Sequence, residues 1–269
     1  MLGAIIGDIV GSVYEFYPRQ MKTTDFELIT PQSRFTDDTV MTFAIAVALM
    51  KSTPANEKDF EEQAIKSMKY FGNKYPYAGY GTKFIRWLAS DTTEPYRSYG
   101  NGSAMRVSPV AWAFDNLEDV EQYAAASARV THNHPEGIKG AQSTAGAIFL
   151  ARTGKSKAEI KKYVSEKYSG YNLDRTLAEI RPDYFHDATC QGSVPEAIIA
   201  FLEASDFESA IRNAVSLGGD ADTQAAIAGS IAEGMWTIKK DIADKCLACL
   251  DDYLMNVLTQ WQSWLNDKA

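Results

Sequence analysis

Two short runs of acids and hydroxyls stand directly ahead of helical sequence. One is Thr36-Asp37-Asp38-Thr39 before the apolar residues 40–49; the other is Asp220-Ala221-Asp222-Thr223 before the Ala-rich residues 224–235. Either run alone reads as a helix start, in which a hydroxyl caps the first N–H groups and carboxylates offset the helix dipole. The repetition changes that reading. Folded together, Asp37, Asp38, Asp220 and Asp222 concentrate about four negative charges that only cations can neutralise. Their all-oxygen donor set suits a hard divalent ion, Mg²⁺ or Mn²⁺.

The elements that must position these acids read as helices. Ala-rich stretches with i, i+3, i+4 apolar spacing recur, and alternating β-branched runs are missing, so the expected fold class is all-α. A chain of 269 residues with no Pro/Gly/Ser-rich linker is expected to form a single domain over residues 1–269. The first helix is expected over residues 2–16. Its glycines Gly3, Gly7 and Gly11 recur every four positions, a stripe that lets another backbone approach closely. Glycine costs about 1 kcal/mol per helical position relative to alanine, so the stripe needs a reason. Asp8 and Glu15, seven residues apart, are expected to face the same way on that helix. Residues 17–33 read as a loop. Further helices are expected over residues 54–70, 117–130, 137–150, 194–204 and 206–217, with Leu- and Trp-rich helices from residue 241 onward.

Three other features could carry chemistry. Gly100-Asn101-Gly102, followed by Ser103-Ala104-Met105-Arg106, is a turn that presents backbone N–H groups to a polar or anionic ligand. It lacks the Gly-Lys-[Ser/Thr] ending of a P-loop. Thr131-His132-Asn133-His134 invites a zinc reading, but with no third soft ligand nearby the polar groups make better sense at a cleft mouth or as a helix cap. His186-Asp187 resembles an oriented base without an identifiable serine or cysteine nucleophile.

Composition narrows the function class. A net charge of −8 and a pI near 5.0, with no basic run, argue against a general nucleic-acid binder. No apolar run approaches the roughly 20 residues that span a bilayer, and the N-terminus lacks the pattern of a secretory signal. Cys246-x-x-Cys249 lies inside a helical pattern, which suits packing better than redox chemistry. Three cysteines used this way fit a reducing cytoplasm. No oligomeric state follows from the sequence.

Five elements taken in order resemble the ADP-ribosylglycohydrolase family, which includes the dinitrogenase reductase-activating glycohydrolases: Gly7-Asp8 through Glu15, Phe35 through Thr39, Gly100 through Arg106, Thr131-His132 and Gly218 through Thr223. The resemblance implies an orthogonal multi-helix bundle with a two-ion Mg²⁺ or Mn²⁺ centre at the bottom of a cleft. By matching positions, Thr36, Asp37, Asp38, Asp220, Asp222 and Thr223 would be metal ligands, and Glu15 would sit near the reacting centre as its carboxylate. Gly100, Asn101, Gly102, Ser103, Met105 and His132 would bind the nucleotide side of ADP-ribose, presented free or on a modified protein. The arginine-specific branch carries an aspartate three residues before the Gly-Asn-Gly asparagine, and this chain has Ser98 there. That places serine-linked, O-acyl and other conjugates beside arginine-linked ones as substrates. Two other readings stand: an all-α Mg²⁺-dependent nucleotide pyrophosphohydrolase, which ordinarily shows Glu-x-x-Glu pairs, and a non-catalytic ADP-ribose-binding protein.

Overall fold

The glycine stripe finds its partner in α13 (Ala221–Met235), whose residues are buried from Ala221 to Ala232. In a computed structural model describing residues 1–16 and 20–268, α1 (Leu2–Gly11) lies along this helix. A Cβ on Gly3 would overlap the Gly229 carbonyl, one on Gly7 the Ala225 carbonyl, and one on Gly11 the Asp222 backbone. The stripe therefore sets a backbone-to-backbone seam, and Gly229 answers it from the other side, where a Cβ would overlap the Gly3 carbonyl. Its result is to bring Asp8, in the middle of α1, beside Asp222, in the first turn of α13.

The remaining helices wrap this pair. They are α2 (Asp37–Lys51), α3 (Glu57–Lys74), α4 (Thr82–Leu88), α5 (Gly102–Met105), α6 (Ser108–Ala113), α7 (Leu117–Arg129), α8 (Pro135–Arg152) and α9 (Lys157–Lys167). They continue with α10 (Leu177–Ile180), α11 (Cys190–Leu202), α12 (Phe207–Val215), α14 (Lys240–Leu247) and α15 (Asp252–Lys268). Among the described residues there is no β-strand, only one isolated bridge between Gly100 and Thr189, so the fold class is all-α as the periodicity predicts. Helices α8, α11 and α12 pack against α13, while α2 packs against α1, α3, α6 and α15. The hydrophobic cluster takes residues from both sides of this arrangement, including Ile5, Phe43, Phe60, Ile148, Phe201 and Ile227, each fully shielded from solvent. No helix is long and apolar enough to cross a membrane among the described residues.

Two boundaries near the acids and the Gly-Asn-Gly turn differ from the sequence reading. Helix α1 ends at Gly11, and residues 12–16 turn away, so Glu15 is not two helical turns above Asp8. The loop expected over residues 17–33 is irregular from Gln20 onward; Tyr17–Arg19 lie outside the described residues, as does Ala269 at the end of the expected domain. Helix α11 starts at Cys190 rather than at residue 194, because Thr189 caps it through a hydrogen bond from Gly192 N (3.1 Å) and Pro195 is carried inside the second turn.

The seam makes a direct prediction. Gly7→Ala is expected to lower stability by about 1–3 kcal/mol through overpacking against Ala225, whereas Gly81→Ala, where a Cβ meets no atom within 4 Å, is expected to change it by less than about 0.5 kcal/mol. Thermal denaturation followed by far-UV circular dichroism checks both, and equal melting temperatures for the two variants would contradict the seam.

Candidate functional site

Asp8 is fully buried and accepts three hydrogen bonds from the start of α2: Thr36 N (2.9 Å), Thr36 Oγ1 (2.6 Å) and Thr39 N (3.1 Å). A carboxylate from α1 thus satisfies N–H groups that α2 leaves unpaired at its own first turn. Thr36, by contrast, accepts only a long bond from Asp38 N (3.4 Å), so capping does not account for the acids that follow it. Asp220, at the cap position of α13, makes no capping bond at all. Its Oδ2 instead accepts from Asn101 Nδ2 at 2.7 Å.

The two helix starts converge. Carboxylate oxygens of Asp8, Asp38 and Asp222 lie within 4.8 Å of one another, all buried, and Thr223 Oγ1 donates to Asp38 Oδ2 at 3.2 Å. Asp38 Oδ1 is shielded from solvent and has no hydrogen-bond partner. A buried carboxylate oxygen without a donor is costly, and a cation beside it removes the cost. A second group, with oxygens or ring nitrogens within the same 4.8 Å, joins Glu15, His186 and Asp220 at the more open side. Asp37, half-buried, is held at the cleft wall by its N–H to Ala78 O (2.9 Å). The donor set of carboxylates and threonine hydroxyls fits hard divalent ions, with Asp37, Asp38, Asp220, Asp222, Thr36 and Thr223 as the residues that could hold them and Asp8 orienting Thr36 from behind.

Electrostatics say the same. Burial pushes the Asp38 and Asp222 carboxyls well above the ordinary range, and neighbouring acids push them further. Asp37 follows, through burial and then Asp222. Asp220 is pushed up to about 6 by burial against the bond from Asn101, and Glu15 to about 8 by burial and then Asp222.

Asp37, Asp38, Asp220, Asp222 and Glu15 line a cavity of about 500 Å³, which Gly100, Asn101, Gly102, Met105, Arg106 and His132 also line. Pairing of Asn101 N with Ala188 O (2.9 Å) and of Cys190 N with Tyr99 O (2.9 Å) fixes the Gly-Asn-Gly turn there. One residue departs from the sequence reading: Ser103 is fully buried, donates to Gly137 O (2.7 Å) and does not line the cavity, because the single turn of α5 rotates it toward α8. Asn101 reaches the cavity, yet its amide is engaged by Asp220 and Ser193. His132 and His134 do not form a zinc pair. His134 caps α8 by accepting from Glu136 N (3.1 Å), while His132 Nδ1 lies 2.7 Å from Thr131 Oγ1. His186 stacks on Phe16 beside Glu15 rather than activating a nucleophile. Asp8 was visible in the sequence as an acid on the glycine-bearing helix; its service to α2 had no sequence signal, since Thr36 lies 28 residues away.

An all-helical fold whose acid-bearing helix starts meet at one cavity offers an oxygen donor set that could hold divalent cations. The family model described as ADP-ribosylglycohydrolase matches residues 1–265, and the chain belongs to that family. Among curated relatives, ADP-ribosylhydrolase ARH3 of Homo sapiens is 29% identical, over 86% of this chain and 83% of its own. The ADP-ribosyl-[dinitrogen reductase] glycohydrolase of Rhodospirillum rubrum is 26% identical, over 93% of this chain and 88% of its own. A solved structure titled ADP-ribosylglycohydrolase-related protein complex shares the fold with a TM-score of 0.65 at 24% identity, covering 92% of this chain and 95% of that one.

Acids whose folded pKa lies above the unfolded value bind more protons folded than unfolded, so stability falls as pH rises between the two values. For Asp220 and Glu15 that window opens near the ordinary carboxylate range, about 4, and closes at about 6 and about 8. The melting temperature of metal-free protein is therefore expected to fall between about pH 5 and about pH 8, with millimolar Mg²⁺ flattening the trend. Scanning fluorimetry across pH, with and without the ion, checks it; a melting temperature indifferent to both would contradict the arrangement.

Proposed function

We propose that the chain is a divalent-cation-dependent hydrolase that cleaves the glycosidic bond joining ADP-ribose to a protein side chain or small conjugate. The observation that carries this reading is the convergence of two acid-bearing helix starts on one cavity, with Asp38 Oδ1 buried and lacking any donor. Thr36, Asp37 and Asp38 from one start, and Asp220, Asp222 and Thr223 from the other, would hold two Mg²⁺ or Mn²⁺ ions. When bound, such ions polarise the oxygens they touch and offset negative charge.

The chain's own residues account for the rest of the reaction. As the leaving group departs with a proton, the distal ribose gains oxocarbenium character, which the surrounding carboxylates stabilise, and a water adds at the same carbon with loss of its own proton to give free ADP-ribose. Glu15, desolvated at the cavity wall, holds or releases the proton that must move at the scissile bond. A neighbouring Arg34 at the cavity wall favours its ionised form, so both protonation states are within reach. The glycines of the Gly100–Gly102 turn let the phosphate-bearing part of the ligand approach backbone, and a cavity of about 500 Å³ suits a ligand of that size. Ser98 Oγ accepts from Gly100 N (3.1 Å) and so supports the turn, with no carboxylate at this position to serve as base. Serine-linked and O-acyl-linked ADP-ribose therefore join arginine-linked conjugates as substrates to test. The reading places the enzyme in the cytoplasm, where free thiols such as Cys190, Cys246 and Cys249 stay reduced.

Product analysis on Arg-, Ser- and O-acetyl-linked ADP-ribose tests the reaction class: free ADP-ribose is expected, and release of AMP would instead mean attack on the diphosphate. Asp37→Ala and Asp222→Ala are each expected to reduce turnover by at least about 10³-fold with far-UV helicity retained. Glu15→Gln is expected to lower kcat by about 10²-fold or more while ADP-ribose affinity, measured by calorimetry, changes little. Full activity in the aspartate variants would refute the assignment.

A further inference from the structure

Arg34 and Lys83 are exposed, line the cavity and form no ion pair or side-chain hydrogen bond among the described residues. Both stand beside the acids. Arg34 lies just ahead of Thr36 in the chain, and its charge bears on the Glu15 carboxyl. Lys83 is in the first turn of α4, shortly after Gly79, where a Cβ would come within 3.2 Å of Asp37 Oδ1. Two solvent-facing aromatic residues line the same cavity: Phe16, 63% exposed, follows Glu15, and Tyr77, 99% exposed, precedes the Ala78 carbonyl that holds Asp37 N. The cavity therefore opens to solvent beside Glu15 and Asp37, and a leaving group carried on a protein has room to depart there.

Six acids gather at this end: Asp8, Glu15, Asp37, Asp38, Asp220 and Asp222. Two divalent ions would offset four of their charges, and Arg34 and Lys83 offset the other two. Without the two side chains, the loaded site would keep a negative excess that draws a cationic leaving group such as a guanidinium. With them that pull is cancelled. Depth then decides what the rest of the modified protein meets. Asp8, Asp38, Asp220 and Asp222 are at most 6% exposed, whereas both cations reach solvent. Residues flanking the attachment point stay outside the cavity, so they meet the cations before the acids, and acidic flanks are attracted while basic ones are repelled.

We propose that Arg34 and Lys83 are specificity-determining residues, a cationic rim that selects ADP-ribosylated proteins whose attachment point is uncharged and flanked by acidic residues, and that disfavours arginine-linked conjugates. This inference rests on the proposed function.

Three synthetic peptides of equal length test it: one ADP-ribosylated on serine with acidic flanks, one on serine with basic flanks, and one on arginine with uncharged flanks. In the presence of Mg²⁺ and at low salt, kcat/KM is expected to favour the acidic-flanked over the basic-flanked peptide by about tenfold or more. That margin is expected to shrink severalfold at about 0.5 M salt, where the screening length falls to about 4 Å. Arg34→Glu and Lys83→Glu are each expected to cut the ratio about fivefold or more, and to raise the arginine-linked peptide relative to the acidic-flanked serine-linked one. Scoring by ratios between substrates cancels any effect of Arg34 on Glu15, which all three peptides share. A ratio near one in the unaltered protein, or ratios that neither variant moves, would overturn the rim. Absence of turnover on all three peptides would sink the proposed function and the rim together, whereas turnover without discrimination sinks the rim alone.

Discussion

Repulsion among Asp8, Asp38 and Asp222, buried with their carboxylate oxygens within 4.8 Å of one another, is the constraint to which the rest of the structure answers. Left alone, such a group either takes up protons or drives its helices apart. The fold resists the second outcome mechanically. Along the α1–α13 seam the two backbones touch where side chains would otherwise stand, so the acids cannot retreat without opening that seam. Asp8 adds a tie of its own, because the bonds it accepts from Thr36 and Thr39 anchor α2 to α1 at the level of the cluster.

Asn101 stands in the Gly-Asn-Gly turn and donates its amide to Asp220 across 119 residues of sequence. Arrangement of the turn and placement of one of the clustered carboxylates are therefore set together. A similar economy holds the loop ahead of α2: Lys22 Nζ donates to the carbonyls of Arg181, Tyr184 and Leu217, tying that loop to the turn that leads through Gly218, in the left-handed region at φ +68°, into Asp220.

Much of this was legible in the sequence, for identifiable reasons. Acid pairs ahead of apolar runs and glycines spaced by four are local patterns, and both became what their spacing implied: helix starts and a close seam. Glu15 lines the cavity, but the helix expected to carry it stops at Gly11 and a turn delivers it instead. Ser103 looked like part of a ligand-binding run, but in a single helical turn neighbouring side chains diverge, and its hydroxyl went to Gly137. Partnerships such as Asp8 with Thr36, Asn101 with Asp220 and Arg106 with Thr131 depend on tertiary approach, for which one sequence holds no pattern.

The converging acids offer a donor set for divalent cations, and binding of such ions is what most directly accounts for their burial together. Titrating the protein with Mn²⁺ under electron paramagnetic resonance measures this without reference to any substrate. About two ions per chain with a spin-coupled signal, lost in Asp38→Asn and Asp222→Asn variants that keep their helicity, is the result expected. Weak, uncoupled binding that is the same in the unaltered protein and both variants would contradict the account.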